Sequence, residues 1–132
     1  MDLSKIYIKM CEEAREIQKP ISKLKDGDFI TDWRFKENEV IVYSSLMHDV
    51  GFGEEGPDNE FTWWIPRQDQ LQDMVRVKTE TDAWLLRDFY IFVSNDKLLH
   101  NPMLYFSMEE LWLIFVMRRK YQKIWNGKEW VK

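Results

Sequence analysis

Cysteine is almost absent from this chain: Cys11 is the only one in 132 residues. A lone thiol cannot close an intramolecular disulfide, so a stapled secreted scaffold is excluded. Histidine is nearly as scarce, with only His48 and His100. A zinc site draws its ligands chiefly from Cys and His, and no cluster of them exists here. Five glycines and four prolines form no repeat, no low-complexity tract and no linker between domains. No apolar run reaches the roughly 18 residues that cross a bilayer. The opening MDLSKIYIKMCEEA is charged and amphipathic, unlike a leader peptide. The expectation is one soluble domain over residues 1–132, cytoplasmic, in a reducing compartment and independent of membrane.

Aromatic residues are what the chain has in excess: seven Trp, eight Phe and five Tyr. Each can bury about 150–250 Å², so even a short chain can build a firm core. Apolar residues make up 45% and charged residues 32%, an ordinary globular balance. The net charge of −4 is unevenly spread. Residues 49–110 hold thirteen acids and five bases, whereas residues 111–132 hold six bases and one acid. The acidic middle argues against a general nucleic-acid binder.

Periodicity predicts a helix over 3–18, with Leu3, Ile6, Tyr7, Met10, Ala14 and Ile17 on one face, stopped by Pro20. Asp26-Gly27 marks a turn. Strands are predicted over 28–33 and 40–43, joined through the Lys36-Glu37-Asn38 turn as an antiparallel hairpin. Residues 47–60 read as a surface loop, and 61–65 as a third strand pairing with the hairpin. Pro66 ends that strand and enters the first turn of a helix, with Asp69 in that turn, where the helix dipole favours a carboxylate. A further helix is predicted over 82–94, burying Leu85, Leu86, Phe89, Phe92 and Val93. Ser107 and Glu110 form a capping box that opens a strongly apolar, central helix over about 108–123. Arg118, Arg119, Lys120 and Lys123 end it, offsetting the carbonyl end of its dipole. Asn126-Gly127 between Trp125 and Trp130 predicts a turn in a small terminal hairpin over 124–132. The fold class expected is α+β: a small antiparallel sheet of three to four strands packed against about four helices, in the order α-β-β-β-α-α-α.

Most motifs that could carry chemistry fail on context. Gly51-Phe52-Gly53-Glu54-Glu55-Gly56 matches G-x-G-x-x-G, but a proline and a strand follow where a dinucleotide site needs a helix N-terminus. His48-Asp49 lacks the companion ligands of a metal-dependent phosphohydrolase. Asp49, Glu54, Glu55, Asp58 and Glu60 lack the ligand order of an EF-hand. Glu12, Glu13 and Glu16 resemble half of the E-x-x-E magnesium pattern, but they read as a solvated helix face. Cys11 lies beside acids, which would raise its pKa, and reads as a packed or half-exposed structural thiol. No catalytic residue, metal ligand or cofactor is therefore expected.

Five blocks carry a resemblance. They are KMCEEAREIQ (9–18), GD (27–28), WIPRQDQLQDM (64–74), SMEELWLIFVM (107–117) and KIWNGKEWV (123–131). In this order the chain resembles a set of small uncharacterised proteins encoded by bacteriophages and prophages of Gram-positive bacteria. The blocks cover about a third of the chain and leave out the 47–60 loop. The resemblance implies an accessory protein in the host cytoplasm and implies no activity, ligand or catalytic residue.

The first functional expectation is a non-enzymatic module that binds a protein partner or itself. Aromatic and Arg residues are the usual anchors of such interfaces. That points to the corner made by Trp63, Trp64, Arg67, Gln68, Asp69, Gln70 and Asp73, with one tryptophan buried and the other exposed because strand neighbours face opposite ways. The alternative is a small metal-dependent hydrolase or nucleotide-processing enzyme with Asp28, Asp69 and Asp73 meeting in one pocket. A third reading is nucleic-acid binding through the basic end with Trp125 or Trp130.

Overall fold

The structure is a computed structural model and describes residues 1–19, 21–32, 39–45, 62–96 and 106–132. Pro20, the Lys36-Glu37-Asn38 turn, the 47–60 loop with His48 and Asp49, His100 and Asn101-Pro102 lie outside the described residues. The fold is α+β, with four helices, a three-stranded antiparallel sheet and a separate two-stranded one among the described residues. The order of elements follows the sequence expectation. The chain gathers into two compact units, Leu3–Pro66 and Arg67–Lys132 with Met1–Asp2. Each is described by itself.

In the first unit, Ser4 caps α1 (Lys5–Glu13) by accepting from the Tyr7 amide at 3.2 Å. The helix is shorter than predicted. It ends at Ala14, and a single 3-10 turn follows, Arg15–Ile17. The predicted face is also rotated. Tyr7, Cys11 and Ala14 form the buried line, with Ile8 and Met10 on its flanks, while Ile6 is 62% exposed. Ile6 falls just beyond the Met10 edge at 100° per residue, a difference that a pattern with apolar residues at both 6 and 8 cannot resolve. Cys11 is fully buried, as its packed reading requires.

Strand β1 (Phe29–Asp32) is central, flanked by β2 (Ile41–Val42) and β3 (Thr62–Ile65). Register pairs Phe29 with Val42 on one side and with Ile65 on the other. The predicted third strand thus joins the hairpin on its β1 side. Gly27, at φ 93°, turns the chain into β1 in a conformation that residues with a Cβ rarely adopt. The adjoining bonds extend the ladder: Gly27 N–H donates to the Tyr43 carbonyl at 3.0 Å, and Tyr43 N–H to that of Asp28 at 2.7 Å. Helix α1 packs on β3.

In the second unit, α2 (Gln68–Val75), α3 (Asp82–Asn95) and α4 (Met108–Tyr121) are joined by the terminal hairpin β4 (Ile124–Trp125) and β5 (Trp130–Val131). Arg67 stands at the N-cap of α2, so Pro66 lies outside the helix rather than in its first turn. Helix α4 packs against α2, α3 and β4. It buries Glu110 and the run from Trp112 to Met117, which makes it the central helix that its composition predicts. The Ser107 hydroxyl accepts from the Glu110 amide at 3.1 Å, the expected cap. At the other end Gln122 takes the left-handed conformation, φ 53°.

An aromatic cluster joins α3 to α4. Phe89 stacks on Trp112 with centroids 3.9 Å apart, and Phe92 meets Phe115 at 5.2 Å. Of the residues expected inside, Leu85 and Phe89 are buried, Phe92 and Val93 half-buried, and Leu86 exposed. Leu86 sits 100° round the helix from Leu85, outside the stripe that faces α4. The terminal turn is a four-residue one, held by the Asn126 side chain accepting from the Lys128 and Glu129 amides at 2.8 and 2.9 Å.

Candidate interaction surface

The corner singled out in the sequence divides between the two units after Pro66. On its strand side, Trp64 is 2% exposed and Trp63 half-buried, so the doubled tryptophan does put one ring inside. Trp64 offers a partner no surface. Its backbone is secured by Gln18. The Gln18 side-chain oxygen accepts from the Trp64 amide at 2.7 Å, and its amide nitrogen donates to the Trp64 carbonyl at 3.2 Å and to the Cys11 carbonyl at 2.8 Å. Gln18 therefore acts as a short mimic of a strand on the outer edge of β3, covering polar groups that would otherwise template pairing. The Lys19 ammonium lies 4.0 Å over the Trp64 ring, a cation–π contact. The Tyr7 hydroxyl donates to the Pro66 carbonyl at 2.6 Å and fixes the exit from the strand.

On the helix side, the polar run serves the start of α2. The Gln70 side chain accepts from the Arg67 amide at 2.8 Å. Asp69 pairs with Arg67 at 3.1 Å. Asp73 pairs with Arg76, which also reaches Asp82 at 3.0 Å. Gln68 is half-buried at the first helical position. Asp69 and Asp73 are thus exposed and paired with arginines. Asp28 is buried, its carboxylate accepting from the Lys25 amide at 2.9 Å in the turn before β1. Among the described residues no group of three or more His, Cys, Asp or Glu could hold a metal ion.

Sequence reasoning missed a different surface. Helix α3 contains nine apolar residues in fourteen, DAWLLRDFYIFVSN, more than its one packed stripe can bury. The surplus is exposed on both flanks: Trp84 and Ile91 on one side, Leu86 and Tyr90 on the other. The count itself was the available signal. It was ambiguous because α4 has as many apolar residues and buries most of them.

On the Trp84 side, α3 and α4 enclose an open groove of about 450 Å³ lined by Asp88, Ile91, Phe92, Phe115, Arg118 and Arg119. Its floor is apolar and its rim charged. Arg119 is tied to Asp88 at 2.9 Å and lies 5.6 Å over Phe115. Arg118 is exposed and has no ion-pair partner among the described residues. The Arg87 guanidinium lies 5.1 Å over the Trp84 ring.

Compared with known protein families, curated proteins and solved structures, the chain matches none.

Proposed function

We propose that this chain is a non-enzymatic accessory protein that acts by binding another protein, through the exposed apolar flank of α3 and the groove beside it. The observation that carries the reading is the row Trp84, Ile91 and Phe92, large side chains left partly open to solvent on a helix already anchored by Leu85 and Phe89. Contiguous apolar surface rimmed by polar groups is characteristic of interaction sites, and Trp, Tyr and Arg are the residues that most often carry their energy. The phage or prophage setting rests on the five sequence blocks alone.

Affinity capture from a Gram-positive lysogen is the test, run with the intact chain and with a Trp84→Glu, Ile91→Glu variant in parallel. The proposal expects at least one protein retained by the first and lost from the second. Identical captures would remove α3 as the binding surface.

A further inference from the structure

We infer that the α3–α4 groove takes a short acidic–apolar peptide segment of its partner, with apolar side chains on the Ile91–Phe92–Phe115 floor and a carboxylate at Arg118. This rests on the interaction reading above and specifies the chemistry of the partner. The volume, about 450 Å³, lies in the range that accommodates a few side chains. The charges on the rim decide what may accompany them. Asp88 is paired with Arg119 at 2.9 Å, which leaves Arg118 as the charge lining the groove that has no ion-pair partner among the described residues. A planar guanidinium with no partner is well suited to a two-point hydrogen bond with a carboxylate. Arg119 is already engaged by Asp88 and lies over the Phe115 ring, so an incoming carboxylate competes with an ion pair there and meets no such competitor at Arg118 among the described residues. Lys120, one residue on and exposed, adds to the positive potential. A segment with Lys or Arg at the same place would meet like charge.

The helix end gives the basic run a structural role as well, since positive side chains in the last turn offset the dipole of α4. That role fixes no direction for the side chains. The placement of Arg118 along the groove, beside an apolar floor, is the additional feature.

The experiment is selection from a displayed library of random short peptides on the immobilised full-length chain. The enriched peptides are then synthesised and titrated against Arg118→Glu, Arg118→Lys and Ile91→Asp variants. Circular dichroism and urea midpoints close to wild type show that each variant is folded. Enriched peptides should combine Leu, Ile, Phe or Trp with a nearby Asp or Glu. Their affinity should fall about tenfold or more with Arg118→Glu, partly recover with Arg118→Lys, and fall similarly when the peptide's own acid is replaced by its amide. Peptides without acidic bias that are nevertheless lost with Ile91→Asp would overturn the charge assignment and leave the interaction reading standing. Peptides indifferent to both substitutions, or no enrichment at all, would overturn both. Displacement of bound peptide by a single-stranded oligonucleotide at moderate salt would overturn the assignment in favour of nucleic acid.

Discussion

At the scale of single residues, two side chains far from the groove hold the clearest consequences. Gln18 satisfies both the amide and the carbonyl of Trp64 and a carbonyl of α1. Gln18→Ala leaves the Trp64 amide and carbonyl without their Gln18 partner, while the Cys11 carbonyl keeps the Ala14 amide; the cost is about 1–3 kcal/mol for a buried group left unsatisfied. The urea midpoint should fall accordingly, and the Trp64 amide should exchange hydrogen faster; an unchanged exchange rate would contradict the edge-covering role. Glu110, in the first turn of α4, is only 6% exposed, and its pKa is raised from 4.5 to about 7. Burial is the main cause, followed by a hydrogen bond with Asp2 and the charge of Asp2, with the Ser107 hydrogen bonds acting in the opposite sense. Asp2 is itself held by the Ser107 hydroxyl at 2.6 Å. Between pH 4.5 and about 7 the folded chain keeps a proton that the unfolded chain has released. The stability this contributes is complete below the lower value and is lost as pH rises through the upper one. A fall on the order of 2 kcal/mol across that interval is expected. Urea titrations at several pH values should show it, and Glu110→Gln, which carries no titrating proton, should flatten the slope.

At the scale of the element, α3 presents the sharpest contrast between neighbours. Phe89 stacks on Trp112 and meets Phe115 at 5.7 Å, whereas Tyr90 is 70% exposed. Phe89→Ala removes a packed ring from the joint with α4 and should cost about 3–5 kcal/mol. Tyr90→Ala should stay within about 0.5 kcal/mol. Equal losses in thermal or urea unfolding would mean that the two faces are wrongly assigned. The same helix shows how far sequence reading reached. Its existence and limits were legible from the apolar spacing and from Asp82 in its first turn, because those are local effects. The burial of Leu85 over Leu86 was not, since both are leucines and only the position of α4 separates them. Helix α1 repeats the lesson. Its existence followed from local chemistry, but its early end at Ala14 accompanies a hydrogen bond from Gln18 to a strand 46 residues away, which no periodicity records. The sheet order is of the same kind: strand pattern located β1, β2 and β3, but not which of the first two would receive the third.

At the scale of the whole molecule, charge and surface decide the competing functions. The α+β class and the order of elements were legible because hydrophobic period and turn chemistry agree along most of the chain. The interaction surface was not, because a surface is what remains after packing, and packing is long-range. The corner at Trp63–Asp73 attracted notice through its unusual composition, and much of that composition serves the strand exit and the start of α2. For nucleic acid, the basic end and the tryptophans of the terminal hairpin are the only counter-argument. Trp125 and Trp130 lie against each other with centroids 5.1 Å apart, Trp130 is buried and Trp125 half-buried, so Trp130 presents no face for a stacked base of the kind single-strand binders use. The basic residues of 111–132 belong to a chain of net charge −4 whose residues 49–110 carry net −8. A long polyanion gains a few local contacts and meets repulsion from the rest, while a short acidic peptide can meet Arg118 alone. Binding of a fluorescent single-stranded oligonucleotide should therefore be undetectable at physiological salt, where non-specific binders have dissociation constants of about 10⁻⁴–10⁻⁶ M. Fluorescence anisotropy over a salt series tests this. Binding that weakens steeply with salt and is abolished by Lys120→Glu and Lys123→Glu would place the basic end of α4 on nucleic acid and displace the peptide reading.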